Sequence, residues 1–210
     1  MNLSPYGKKS GKKTIGVVLA GGRSSRMGKD KALLQIDSDS MITRTRRTLE
    51  KTSTAKVFVS RNDGNEEHMA DLIPNKGPLS GIHSMALRFP NCNLLVVPVD
   101  LPLLDANTLQ ELIDNGEQNQ SNVRFETDNL PLFINNTPHF RQALDYTLKF
   151  AECLSVGKFC SQLPLVELEN SVASKMFNAN TPEQWQFAMQ QFANNPTTNK
   201  PIEKMYESFK

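Results

Sequence analysis

"TIGVVLAGGRSSRMGKDKALL" (residues 14–34) joins a β-branched apolar run to two adjacent glycines and then to four cations, Arg23, Arg26, Lys29 and Lys31, with Asp30 the only acid among them. The run "TIGVVLA" (14–20) lacks the apolar–polar alternation of a half-exposed strand, which is how a strand covered on both faces reads. Such strands belong to open parallel sheets, whose ligands bind beyond the carboxyl ends of the strands. Gly21, Gly22 and Gly28 let a backbone turn tightly and bring its N–H groups close to a ligand. The cations repel one another until an anion arrives. The construction suits a polyphosphate; a solvated basic loop is the alternative. The segment is not a Walker A loop, because five residues separate Gly22 from Gly28 and Asp30 stands where Ser or Thr would follow the lysine. Its glycines are adjacent, so it is not GxGxxG either.

Two further runs, "AKVFVS" (55–60) and "NLLVVPVD" (93–100), repeat the apolar pattern. Helical segments are expected at roughly 40–52, 65–71 and 78–89, with Pro78 at a first helical position after Gly77. "DANTLQELIDNG" (105–116) reads as a helix capped by Asp105 and closed by Gly116. Strands alternating with helices at this spacing imply βαβ units. Beyond 121, "NVRFETD" and "LPLFINN" read as strands, the second with an antiparallel option, and 138–150 reads as a helix. The stretch 151–174 is ambiguous. "KMFNAN" (175–180) reads as a strand. The helix after it has Thr181 as N-cap, Pro182 at its first position and Gln184 completing a capping box.

The chain of 210 residues suits one α/β domain, expected over 14–195 between a disordered basic tail (1–13) and a polar C-terminal tail (196–210). Lys8, Lys9, Lys12 and Lys13 supply four of the positive charges, so a formal +2 becomes −2 once they are set aside. A slightly acidic body argues against a nucleic-acid surface. No apolar run reaches the ~18 residues a membrane span needs, and the start lacks the apolar stretch of a secretory signal. A cytoplasmic location is the expectation. Cys92, Cys153 and Cys160 have no metal spacing and read as reduced, mostly buried thiols, and His68, His83 and His139 form no cluster.

Four stretches, "LAGGRSSRMGKDKALL" (19–34), "DLIPNKGPLSGI" (71–82), "VVPVDLPLL" (96–104) and "FNANTPEQW" (177–185), together resemble the molybdenum cofactor guanylyltransferases, in this order and over about residues 14–190. The resemblance implies a single three-layer α/β/α Rossmann-like domain with a mostly parallel sheet, of the nucleotide-diphospho-sugar transferase type. It implies transfer of GMP from GTP to molybdenum-bearing molybdopterin, with Mg²⁺ as cofactor. Molybdoenzyme apoproteins or other cofactor-synthesis proteins stay open as partners. The alternatives are a relative using CTP or another acceptor, and a non-catalytic nucleotide-binding partner that delivers the cofactor.

By this resemblance Leu19, Ala20, Gly21, Gly22, Lys31, Ser60, Asp71, Gly77, Asp100, Asn178 and Asn180 contact the nucleotide or its phosphates. Lys31, Arg26 and Asp100 carry the catalysis. Asp100 ends an apolar strand, where a carboxylate can hold Mg²⁺ together with substrate phosphates. Its other reading, a cap for the next helix, is already filled by Asp105. Asp71 has the alternative of an exposed helix-end acid, Ser60 that of a plain turn serine, and the two asparagines that of loop caps. His83 reads as a helix residue packed near the pocket. Cytidylyl relatives read "LAAG" where this chain reads "LAGG", so the resemblance points to guanine at Gly21. The chain departs from the family at "DSDS" (37–40), where a glycine turn is common, and over 121–134 and 151–174.

Overall fold

Two strands buried on both faces organise the molecule. The computed structural model describes residues 11–21, 30–36, 38–169 and 174–193. Along β1 (Thr14–Leu19) and β6 (Asn93–Pro98) successive side chains enter opposite cores. Val18, Leu95 and Val97 face one layer; Ile15, Val17, Leu94 and Val96 face the other.

In chain order, β1 is followed by a 3-10 turn at Lys31–Leu33, a small hairpin of β2 (Gln35–Ile36) and β3 (Asp39–Ser40), and α1 (Met41–Glu50). Then come β4 (Val57–Ser60), β5 (His68–Met69), α2 (Pro78–Arg88), β6 and α3 (Ala106–Asn119). The remainder is β7 (Asn122–Phe125), β8 (Leu132–Ile134), α4 (Pro138–Phe150), α5 (Val156–Cys160), β9 (Leu165–Leu168) and α6 (Pro182–Ala193). The main sheet has the order β5-β4-β1-β6-β8-β7-β9. Only β8 runs against its neighbours, pairing antiparallel with both β6 and β7. Leu49, Leu109, Leu112 and Trp185 bring α1, α3 and α6 onto one face. Leu79, Ile82, Phe140, Leu144 and Phe159 bring α2, α4 and α5 onto the other. Each such fully buried side chain contributes about 1.5–3 kcal/mol. The result is the expected three-layer α/β/α arrangement.

Several expected elements differ. Residues 65–71 form a turn and the short β5 rather than a helix. The Asp63 carboxylate accepts from the Asn65 N–H at 3.2 Å, and the Asn65 side chain from the Glu67 N–H at 2.9 Å. These local bonds compete with helix. Gly116 does not close α3 but lies inside it, where a Cβ would come 2.1 Å from the Phe133 ring. The glycine exists to seat that ring on the helix. Gln120, at φ 49°, ends the helix instead. Residues 175–180 form no strand; the segment crosses the strand ends and is fixed by the Ala179 N–H on the Asp100 carbonyl at 2.9 Å. At 37–40, where the family favours glycine, Ser38 itself takes φ 73° and Ser40 caps α1.

Of the thiols only Cys160 is buried, and burial pushes it up to about 11; Cys92 is half-buried and Cys153 exposed. No helix among the described residues is long and apolar enough to cross a membrane. Of the expected tails, 1–13 and 196–210, residues 1–10 and 196–210 lie outside the described residues. Lys12 and Lys13 do not fit a tail: the Lys12 ammonium donates to the Asn136 carbonyl at 2.9 Å, and the Asn93 N–H to the Lys13 carbonyl at 2.9 Å.

Candidate active site

The parallel register sets Leu19 beside both Ser60 and Pro98, so β1, β4 and β6 end at one level. The residues just past the three strand ends therefore converge: Ala20 and Gly21 after β1, Arg61 and Asn62 after β4, Val99 and Asp100 after β6. They wall a cavity of about 650 Å³, within the range of small-ligand sites. The start of α2 closes a further side through Gly77, Pro78 and Gly81. Gly77, at φ 69°, needs the left-handed conformation to lead into the helix. Gly81 is required by proximity: a Cβ there would lie 2.5 Å from Ser60 Oγ and 2.9 Å from Leu19 Cδ2.

Of the residues singled out from sequence, Leu19, Ala20, Gly21, Lys31, Ser60, Asp71, Gly77 and Asp100 line this one cavity. Gly22 and Arg26, like Arg23, Gly28 and Lys29, lie outside the described residues. Gly21 needs neither a positive φ nor space from a described neighbour, since a Cβ there meets nothing within 4 Å. His83 is buried in α2, with its ring 3.4 Å from an Asp145 oxygen on α4, and does not line the cavity.

Lys31 and Asp100 face each other with Nζ to Oδ2 at 4.0 Å, and both side chains are largely shielded from solvent. The Lys31 ammonium also donates to Asn180 Oδ1. Burial pushes the Asp100 carboxyl above its ordinary value, opposed by the Lys31 charge, a backbone N–H and the Asn178 amide. Both asparagines therefore reach the same ion pair, although neither is among the residues lining the cavity. The reason differs from strand alternation: the Ala179 bond to Asp100 and the cap of α6 hold the segment. There Gln184 Oε1 accepts from the Asn180 and Thr181 N–H groups at 2.8 and 3.1 Å.

Asp100 Oδ1 is buried and has no hydrogen-bond partner among the described residues. No group of three or more His, Cys, Asp or Glu that could hold a metal occurs among the described residues. One carboxylate with an open oxygen does not fit zinc, which takes three or four protein donors, chiefly histidine and cysteine. It fits Mg²⁺, which takes one or two carboxylates and completes its shell with water and substrate phosphates. Asp105 does cap α3, accepting from the Thr108 N–H at 2.9 Å, which leaves Asp100 without that duty.

On the far side, Asp71 and Asn62 hold each other. Asn62 Nδ2 donates to Asp71 Oδ2 at 2.8 Å, and the Asp71 N–H donates to Asn62 Oδ1 at 2.7 Å. Asn62, Arg61, Asp30, Asn75 and Leu130 also line the cavity and are not singled out by sequence. Arg61 carried a signal, a charged residue directly after an apolar strand. The Asn62–Asp71 pairing spans a turn whose path the sequence does not disclose.

Residues 16–149 match the MobA-like NTP transferase domain family. The chain is 36% identical over 174 residues to a molybdenum cofactor guanylyltransferase of Xanthomonas euvesicatoria, covering 81% of this chain and 91% of that protein. Among solved structures, molybdopterin-guanine dinucleotide biosynthesis protein A from Archaeoglobus fulgidus superposes with a TM-score of 0.71 at 19% identity, covering 86% of this chain and all of that one. A Mycobacterium tuberculosis protein in complex with manganese gives 0.60 at 16% identity, over 85% and 98% of the two chains. The chain belongs to the MobA-like NTP transferase domain family.

Proposed function

We propose that this cavity binds GTP with a divalent ion and that the chain transfers GMP to the terminal phosphate of molybdenum-bearing molybdopterin. The observation that carries this is the Lys31–Asp100 pair, 4.0 Å apart, with Asp100 just past β6 and Lys31 at the start of the 3-10 turn, in a chain of this family. An oxygen of the acceptor phosphate forms a bond to the α-phosphorus of GTP. The bond from that phosphorus to the bridging oxygen breaks, and pyrophosphate leaves with the electron pair. The acceptor is already an anion, so no side-chain nucleophile is needed. Catalysis consists of alignment and of neutralising charge spread over the phosphates.

Lys31 supplies a cation held in place by Asn180. Asp100 would hold Mg²⁺ through its open carboxylate oxygen, and the ion would supply positive charge to offset that of the phosphates. The relative solved with manganese supports a divalent ion here. Asp71, steadied by Asn62, offers a carboxylate oxygen to the N–H donors on guanine's N1–N2 edge. A pure carrier would have no use for the orphaned Asp100 oxygen, and this disfavours the delivery reading. The test is a mass-resolved transfer assay with molybdopterin and each NTP. GTP-dependent formation of the guanine dinucleotide is expected; formation only with CTP would overturn the guanylyl assignment.

A further inference from the structure

Arg61 occupies the position immediately after β4, beside the start of the glycine- and cation-rich segment. The parallel register brings it there: Leu19 pairs with Ser60, and the Ala20 N–H donates to the Ser60 carbonyl at 3.0 Å. Its side chain is only 11% exposed, and its guanidinium donates in three directions. Nη1 reaches the Ala20 carbonyl at 2.9 Å, Nη2 reaches Asp30 Oδ2, and Nε reaches Asp63 Oδ2 at 2.6 Å. Ala20 and Asp30 are the residues from which the segment 21–29 departs and to which it returns. Asp30 also acts as a cap, because its Oδ1 accepts from the Ala32 N–H at 3.0 Å and so starts the 3-10 turn that begins with Lys31.

We propose that Arg61 is a positioning residue for triphosphate binding, tying the two ends of the glycine-rich segment together and, through Asp30, setting Lys31 across from Asp100. The proposal rests on reading the cavity as a triphosphate site. Arg61 is not itself the phosphate cation, because two carboxylates already neutralise it. Asp63 is well suited to holding the guanidinium. Burial raises its carboxyl, but hydrogen bonds from His68, the Asn65 N–H and Arg61 outweigh this and hold it at about 2. It stays charged at every working pH. A lysine cannot take over, since an ammonium is a point charge without the planar fork that spans Ala20, Asp30 and Asp63 together.

The test uses the full chain with Arg61→Lys, Asp30→Asn and Lys31→Ala, singly and as double variants with Lys31→Ala. Dissociation constants are measured for GTP with Mg²⁺ and for inorganic tripolyphosphate with Mg²⁺, alongside the melting midpoint. Arg61→Lys and Asp30→Asn should each weaken both ligands about ten- to a hundredfold, the scale of one lost charged hydrogen bond. Adding Lys31→Ala to either should then cost much less than in the wild type, because Lys31 is already misplaced. A Lys31→Ala penalty equal in all backgrounds would overturn the proposal. So would wild-type binding by Arg61→Lys, since charge alone would then suffice, or losses that merely track the melting midpoint. Tripolyphosphate lacks a base, so coupling seen with it while GTP is not transferred would sink the guanylyl reading and leave this proposal standing. Failure of the wild type to bind either ligand would overturn both.

Discussion

Asp100 carries a folding cost. Its carboxyl is raised by burial, so folding favours the protonated form. The destabilising contribution is absent below the ordinary carboxylate range. It grows as the pH rises through the raised value and is complete above it. Asp100→Asn should therefore raise the melting midpoint of the metal-free protein at neutral pH, and the advantage should vanish in acid. The same variant should lose Mg²⁺-dependent stabilisation by GTP and fall roughly 10²–10³ in turnover, as loss of a comparable electrostatic group does. Unchanged apo stability together with unchanged turnover would remove Asp100 from the site. Gly21 makes a second prediction at this scale. Neither φ nor a described neighbour demands glycine there, so a methyl group should interfere with a bound base rather than with the fold. Gly21→Ala should leave the melting midpoint unchanged and reduce GTP binding more than CTP binding. Equal losses for both nucleotides would rule out the steric account of guanine preference.

At the scale of elements, the site depends on two close approaches. The first turn of α2 lies against the ends of β1 and β4 only because Gly81 has no Cβ. Gly81→Ala must push α2 away or displace the buried Ser60, and overpacking of this kind typically costs about 1–3 kcal/mol. Denaturant unfolding with GTP binding on the same sample checks it, and a variant as stable and as tight as the wild type would contradict it. The second approach is the crossing segment 175–180, anchored by Asp100 below and by α6 behind. Trp185 seats α6 in the core at 2% exposure. Trp185→Ala should cost about 3–5 kcal/mol and weaken nucleotide binding beyond that loss, by loosening Asn180. Elements with a strong local signal were legible in the sequence: the buried strands, the Asp105 and Thr181 caps and the Pro-led helices. Elements decided by contact were not. Gly116 looks like a helix stop until Phe133 is seen against it, and 65–71 looks helical until Asp63 and Asn65 take its N–H groups. "KMFNAN" has strand composition but pairs with no strand among the described residues.

At the scale of the whole molecule, the cavity lies at one end of the sheet, past the ends of β1, β4 and β6. Residues distant in sequence, Gly21, Lys31, Ser60, Asp71 and Asp100, share one cavity because three parallel strands end level. That convergence was legible, since parallel topology makes strand-end residues neighbours whatever their separation. The bonds that hold Lys31 and Asp71 in place were not, because Arg61 and Asn62 act through side-chain geometry that spacing does not encode. Binding energy should flow from ligand to fold as well. GTP with Mg²⁺ should raise the melting midpoint of the wild type, by about 2.7 kcal/mol of added stability at a hundredfold excess over the dissociation constant. GTP without the ion should do much less. Lys31 and Asp100 are the heart of the proposed guanylyl-transfer site. The most direct measurement is single-turnover formation of the guanine dinucleotide from GTP and molybdenum-bearing molybdopterin by the wild type, Lys31→Ala and Asp100→Asn. Product should form from GTP in preference to CTP, with at least a hundredfold loss in Asp100→Asn, about the effect of removing one preorganised charge. Product formed equally fast by all three proteins would remove Lys31 and Asp100 from catalysis, and product formed only from CTP would exclude guanylyl transfer.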